Sequence, residues 1–207
     1  MKSKKYLDDI TEIKNMMSRS SRFISLSGLS GILAGVYALV AAGIARTILN
    51  PYFEPHAPVE DSYRDASEII PKLTFLASAT VVLAVLTGIW LTVRKAKKND
   101  QKIWDATSKR LVFNFMIPLV SGGLFCLVLL QYGLIGLVAP ATLIFYGLAC
   151  VNAAKYTFGD IRYLGIANII IGLISTQFIG YGLYFWALGF GVLHIVYGSL
   201  MYFKYAR

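Results

Sequence analysis

Six runs of apolar residues dominate this chain, each close to the length a helix needs to cross about 30 Å of hydrocarbon. They fall at roughly 23–48, 73–94, 111–132, 134–154, 162–179 and 182–203. A soluble domain has no core large enough for them. Of 207 residues 57% are hydrophobic and only 15% are charged, with a mean hydropathy of +0.61. The expected fold class is therefore an all-α membrane protein, six transmembrane helices arranged as three hairpins. Mostly polar sequence precedes the first run, and that run is too long for the apolar region of a signal peptide. It is expected to stay as the first membrane helix.

The net charge of +9 does not imply a nucleic-acid partner, because the charge is confined to short segments between apolar runs. One set of segments carries Lys2, Lys4, Lys5, Lys14, Arg19 and Arg22, then Arg94, Lys95, Lys97, Lys98, Lys102, Lys109 and Arg110, then Lys155, Arg162, Lys204 and Arg207. The other side has Arg46, Arg64 and Lys72. Basic residues collect on the cytoplasmic face of membrane proteins, so both termini are expected in the cytoplasm and the protein in the cell inner membrane. The one long outer connection, 50–72, is acidic, with Glu54, Glu60, Asp61, Asp65 and Glu68; "QYGLIG" and "IGYGLY" make tight turns. His56 beside those carboxylates could hold a divalent cation weakly, but the spacing matches no known motif and a solvated acidic loop is the better account. Residues 1–22 place Tyr6, Ile10, Ile13 and Met17 on one helical face. Such a cytoplasmic amphipathic helix could lie on the bilayer, cap the bundle, or pair with a copy of itself in a homo-oligomer.

The hairpins look related. Each opens with Arg (Arg22, Arg110, Arg162), and the returning helices share Gly88, Gly147 and Gly198. In the first span Ser27, Gly31 and Gly35 recur every fourth residue, a spacing that lets helix backbones approach closely in lipid. Pro118 lacks an N–H, so it must release the carbonyl of Asn114 four residues back, and a neighbour has to satisfy that carbonyl. Asn114, Asn152, Asn168, Ser25 and Ser27 all fall near the inner ends of their spans. Either they converge on a polar pocket open to the cytoplasm or they bond helix to helix. Cys126 and Cys150 sit at different depths and are expected as small core residues, not as a disulfide.

No span holds Asp, Glu or Lys in its core, which argues against proton-coupled antiport and intramembrane aspartyl proteolysis. There is no His-Glu-x-x-His, and the two histidines lie at different depths, so neither a zinc protease nor a bis-His haem is expected; no cofactor is. His194 stands among small residues of the last span and requires partners for both ring nitrogens: Ser27, Ser30 or Tyr146 by depth. Gly28-Leu29-Ser30-Gly31 fits Gly-x-Ser-Gly and, with a His in the last of six spans, resembles the rhomboid intramembrane proteases. That likeness implies Ser30 as nucleophile and His194 as its base, but here the serine is in the first span and the family's oxyanion-hole His and Asn have no counterpart. The stretch "SSRFISLSGLSGILAGVYALV" after a short charged helix resembles a family of uncharacterised bacterial six-helix membrane proteins, some labelled β-carotene 15,15′-monooxygenase. The label implies an iron site of four histidines; this chain has two.

The function expected is non-enzymatic: binding or moving a small or lipophilic molecule, or serving as an accessory or sensor subunit. Its partners would be the lipid bilayer and such a ligand, in a pocket between the first and sixth spans. The alternative is an intramembrane hydrolase built on Ser30 and His194. The aromatic stretch "GYGLYFWALGF" suits an apolar ligand or a belt at the membrane interface.

Overall fold

The computed structural model describes residues 27–50, 61–98 and 103–205, and these are all-helical, with no strand among them. The expected surface helix at 1–22, Ser25, and the Glu54, His56 and Glu60 portion of the loop lie outside the described residues. In chain order α1 is Gly28–Leu49, α2 Asp61–Lys98, α3 Ala106–Gln131, α4 Val138–Ala153 after a 3-10 turn Ile135–Leu137, and α5 Ile161–Ser175. The last rod, α6, joins Gly182–Trp186, a π-helical segment Ala187–Val192 and Leu193–Tyr205. Five of these rods are long and apolar enough to cross a membrane.

Three boundaries differ from the sequence expectation. Residues 61–72, expected in the outer loop, are helical, so α2 has 38 residues and carries Pro71 within it; Glu68 and Lys72 pair one turn apart at 3.7 Å. The fifth span, expected over 162–179, stops at Ser175; the chain then turns, passing through Gly180 at φ +100°, a conformation that favours glycine. At 15 residues α5 spans roughly 22 Å at 1.5 Å per residue, short of the hydrocarbon thickness. The third difference is the π-helical segment, which no hydrophobic periodicity announces.

What holds the rods together is contact between backbones. Gly28, Gly31 and Gly35 of α1 face Gly191, His194 and Gly198 of α6, and the stripe thus starts at Gly28 instead of Ser27. A Cβ on Gly35 would stand 2.6 Å from the carbonyl oxygen of Gly191, and one on Gly198 would stand 2.5 Å from the nitrogen of Ile32. The α4–α5 crossing repeats this arrangement: a Cβ on Gly147 would lie 2.5 Å from the Gly165 carbonyl oxygen. Two of the three glycines aligned across the hairpins, Gly147 and Gly198, therefore occupy equivalent seams. Gly88 does not, since nothing lies within 4 Å of where its Cβ would be. The extended packing of α2 is on α1, where the Tyr37 hydroxyl meets Thr87 Oγ1 at 3.3 Å; α2 makes no extended contact with α3.

The basic segments gather at one end of the bundle. Lys204 donates to Asp160 at 2.7 Å, and Lys95 sits 5.9 Å from the Phe158 ring centroid. At that end Asp105 caps α3, accepting from the Ser108 N–H while Ser108 Oγ accepts from the Asp105 N–H. The Ser108 N–H bond holds the Asp105 carboxyl below its ordinary range. Cys126 and Cys150 are both buried and free.

The two glycine environments lead to opposite expectations. Gly198→Ala has to push two backbones apart and should lower the melting temperature in detergent, by the equivalent of about 1–3 kcal/mol. Gly88→Ala meets open space and adds helix propensity, so its melting temperature should be unchanged or higher. Thermal denaturation of both variants checks the pair.

Candidate functional site

His194 is buried in the α1–α6–α4 interior, and both of its ring nitrogens are engaged. Nδ1 lies 2.9 Å from the Gly189 carbonyl oxygen and Nε2 lies 2.7 Å from the Tyr146 hydroxyl. A carbonyl only accepts, so Nδ1 carries the proton, Nε2 accepts, and Tyr146 donates. Of the three partners considered from sequence, Tyr146 is the one used. Ser30 Oγ donates instead to the Ser27 carbonyl in its own helix, and Ser27 bonds the imidazole no more than Ser30 does. The structure therefore does not form the Ser30–His194 pair. Aromatic rings close around the imidazole: Phe190 at 5.8 Å and Tyr146 at 5.2 Å, with Phe115 set edge-on to Tyr146.

The π-helical segment positions this group. Its extra residue changes the register of α6, so the buried positions run Gly191, His194, Gly198 and Met201 on one side, while Tyr184 is exposed. Gly189 lies inside the segment. Its carbonyl accepts from His194, and a Cβ there would stand 2.6 Å from Asn168 Oδ1.

The inner asparagines separate into two places. Asn152 Nδ2 donates to the Asn114 carbonyl at 2.7 Å, the acceptor that Pro118 releases, and Asn114 Nδ2 donates back to the Arg110 carbonyl at 2.8 Å. Asn168 is on another helix, fully buried; its Nδ2 donates to the Leu164 carbonyl and its Oδ1 accepts from no protein donor. The three do not share a pocket. Asn114 and Asn152 repair a proline break, and Asn168 packs on Gly189.

The cavity lies elsewhere, at the end of the bundle opposite the basic segments. It encloses about 350 Å³ between Ala41, Ala42 and Ala45 of α1, Leu73 and Ala77 of α2, Val138 and Thr142 of α4, and Trp186 of α6. None of His194, Ser27, Ser30, Tyr146, Asn114, Asn152 or Asn168 lines it. The pocket expected between the first and sixth spans is displaced because glycine contacts close that seam over Gly28–Gly35; α1 and α6 part only beyond it, where alanines replace the glycines. At the rim the Arg46 guanidinium sits over the Tyr184 ring, 5.3 Å from its centroid. The aromatic stretch divides: Tyr181 and Tyr184 are exposed, as an interfacial belt requires, whereas Trp186 turns to the cavity and stacks on Phe190 at 5.1 Å.

Sequence reasoning missed Arg46 as a site residue, while Tyr184 and Trp186 fell within the aromatic stretch it singled out without being assigned to a site. A signal was present in "AAGIAR", an arginine closing an alanine-rich face inside the expected first span.

Among the described residues no cluster of three His, Cys, Asp or Glu could hold a metal. An iron site of four histidines does not fit this chain, which has two, one of them already bonded through both nitrogens. No known protein family, curated protein or solved structure matches the chain.

His194 thus has the surroundings of a fully satisfied interior group, and its removal has a definite consequence. His194→Leu strands the Tyr146 hydroxyl and the Gly189 carbonyl, which should cost about 1–3 kcal/mol and lower the melting temperature of the detergent-purified protein. Tyr146→Phe strands only Nε2 and should cost less. An unchanged or higher melting temperature for His194→Leu would instead mark a residue kept at the expense of stability.

Proposed function

We propose that this chain is a multi-pass protein of the cell inner membrane that binds a lipophilic molecule in the cavity near Arg46, in order to carry it or to sense it. The observation that carries this reading is the cavity itself. Its volume of about 350 Å³ falls within the range of small-molecule sites, and its lining is apolar apart from Arg46, Asn50, Thr74 and Thr142. Because α2 leans on α1 and makes no extended contact with α3, the side of the cavity between them faces the bilayer, the natural source of such a ligand. The distribution of Lys and Arg supports a topology with the basic end and both termini in the cytoplasm and all six rods, α5 included, across the membrane. The cavity then lies at the depth of the outer leaflet. A hydrolase on Ser30 and His194 lacks the nucleophile–base hydrogen bond on which such chemistry depends.

Two measurements test this. Thr47→Cys should react with a membrane-impermeant maleimide on intact cells, and Lys98→Cys only after permeabilisation; the reverse pattern would overturn the topology. Mass spectrometry of the protein released from its native membrane should find a lipophilic molecule retained by the wild type and lost from Ala77→Trp, which fills the cavity. Equal retention by both would sink the cavity as the binding site. A serine-reactive fluorophosphonate should label neither form.

A further inference from the structure

We infer that the cavity is specific for a single-chain amphiphile with an anionic head, its acyl or prenyl chain among the alanines and Trp186 and its carboxylate or phosphate on Arg46. This rests on the reading of the cavity as a lipophile site and adds the chemistry of the ligand's head.

Four observations converge. Among the described residues Arg46 is the only charged one lining the cavity, and it is exposed, at the rim, where a head group would remain when a chain is inserted. The guanidinium carbon stands over the Tyr184 ring, 5.3 Å from its centroid, a cation–π contact that anchors the side chain beside the cavity. A guanidinium offers a planar fork of N–H donors that matches two oxygens of a carboxylate or a phosphate, the geometry in which arginine outperforms lysine. Among the described residues Arg46 makes no ion pair, the two recorded pairs being Lys72–Glu68 and Lys204–Asp160. A volume of about 350 Å³ is near the lower limit for ligand sites, which suits one chain better than the body of a two-chain lipid.

Charge complementarity also separates this ligand from neutral ones. A sterol or a long-chain alcohol would fill the same space, but it would press the Arg46 charge against its own uncharged end and gain nothing from it. An anion gains a charge-assisted pair at the membrane interface, where water screens less than in bulk.

Trp186 provides the readout, since it lines the cavity while Trp90 and Trp104 are exposed elsewhere. The full chain carrying Trp90→Phe and Trp104→Phe is placed in nanodiscs of uncharged phosphatidylcholine. It is then titrated with dibrominated stearate, with the methyl ester of that acid, and with a brominated alkyl phosphate of equal chain length. Both anions should quench Trp186 saturably and bind about tenfold tighter than the ester. Arg46→Gln should abolish that preference while the ester still binds, and Arg46→Lys should restore part of it. A preference for only one anion would assign the head as carboxylate or as phosphate. Equal binding of acid and ester by the wild type, or a preference that survives Arg46→Gln, would overturn the head-group inference and leave the cavity reading standing. Absence of saturable quenching by all three probes would overturn both.

Discussion

Everything in this bundle depends on two places where helix backbones touch. In hydrocarbon there is no hydrophobic gain from joining two apolar helices, because lipid tails solvate leucine as well as leucine does. Close dispersion contact is what remains, and it demands surfaces without side chains. The α1–α6 seam satisfies this with Gly28, Gly31 and Gly35 against Gly191 and Gly198, and the α4–α5 seam with Gly147 against Gly165. These two contacts join the first helix to the last and the middle pair to each other. They leave α2 as an outlying rod, with Phe75, Leu86 and Trp90 exposed along it. The cavity follows from the same rule. Where the glycines of α1 give way to Ala41, Ala42 and Ala45, the backbones separate and the space between them is bounded by α2 from the side.

Polar groups form a second level, several of them answering a vacancy in the backbone or in another polar group. Pro118 releases a carbonyl and Asn152 reaches across from α4 to fill it. The π-helical segment presents the Gly189 carbonyl to His194, whose other nitrogen takes the Tyr146 proton. Thr80, Ser121 and Thr142 return their hydroxyls to carbonyls three or four residues earlier in their own helices. Histidine, asparagine and serine in membrane helices invite a functional reading. Here most of them stabilise the scaffold, and the groups with chemistry to spare stand at the rim of the cavity.

The architecture was legible because its cause is local. Apolar runs of helical length identify the rods, glycine spacing marks the seams, and a proline announces the carbonyl it leaves free. Even the Tyr146 partner of His194 could be chosen, along with Ser27 and Ser30, from depth alone. The site was illegible for the opposite reason. Arg46, Leu73, Thr142 and Trp186 come from four helices and acquire meaning only when those helices are packed. The π-helical segment was hidden as well: no change of composition marks it, yet it breaks the regular helical spacing of α6 just before His194. Ser30 misled because Gly-x-Ser-Gly arises readily in a helix whose glycines are there for packing.

In the proposed topology the short α5, set across the membrane, has a consequence for the bilayer. Its 15 residues leave it about 8 Å short of a 30 Å hydrocarbon slab, while its neighbours are fully long. Rod and lipid have to be reconciled by local thinning or by polar groups reaching inward. The turn after Ser175, with Gln177 exposed and Thr176 half-buried in it, continues through Gly180 into the cavity wall. A dimple in the head-group layer would therefore form directly beside the cavity mouth. Lipids at such a dimple are already splayed and partly desolvated, which shortens the path by which a chain leaves its leaflet. Hydrophobic mismatch, usually an inconvenience to a membrane protein, would here serve as the doorway.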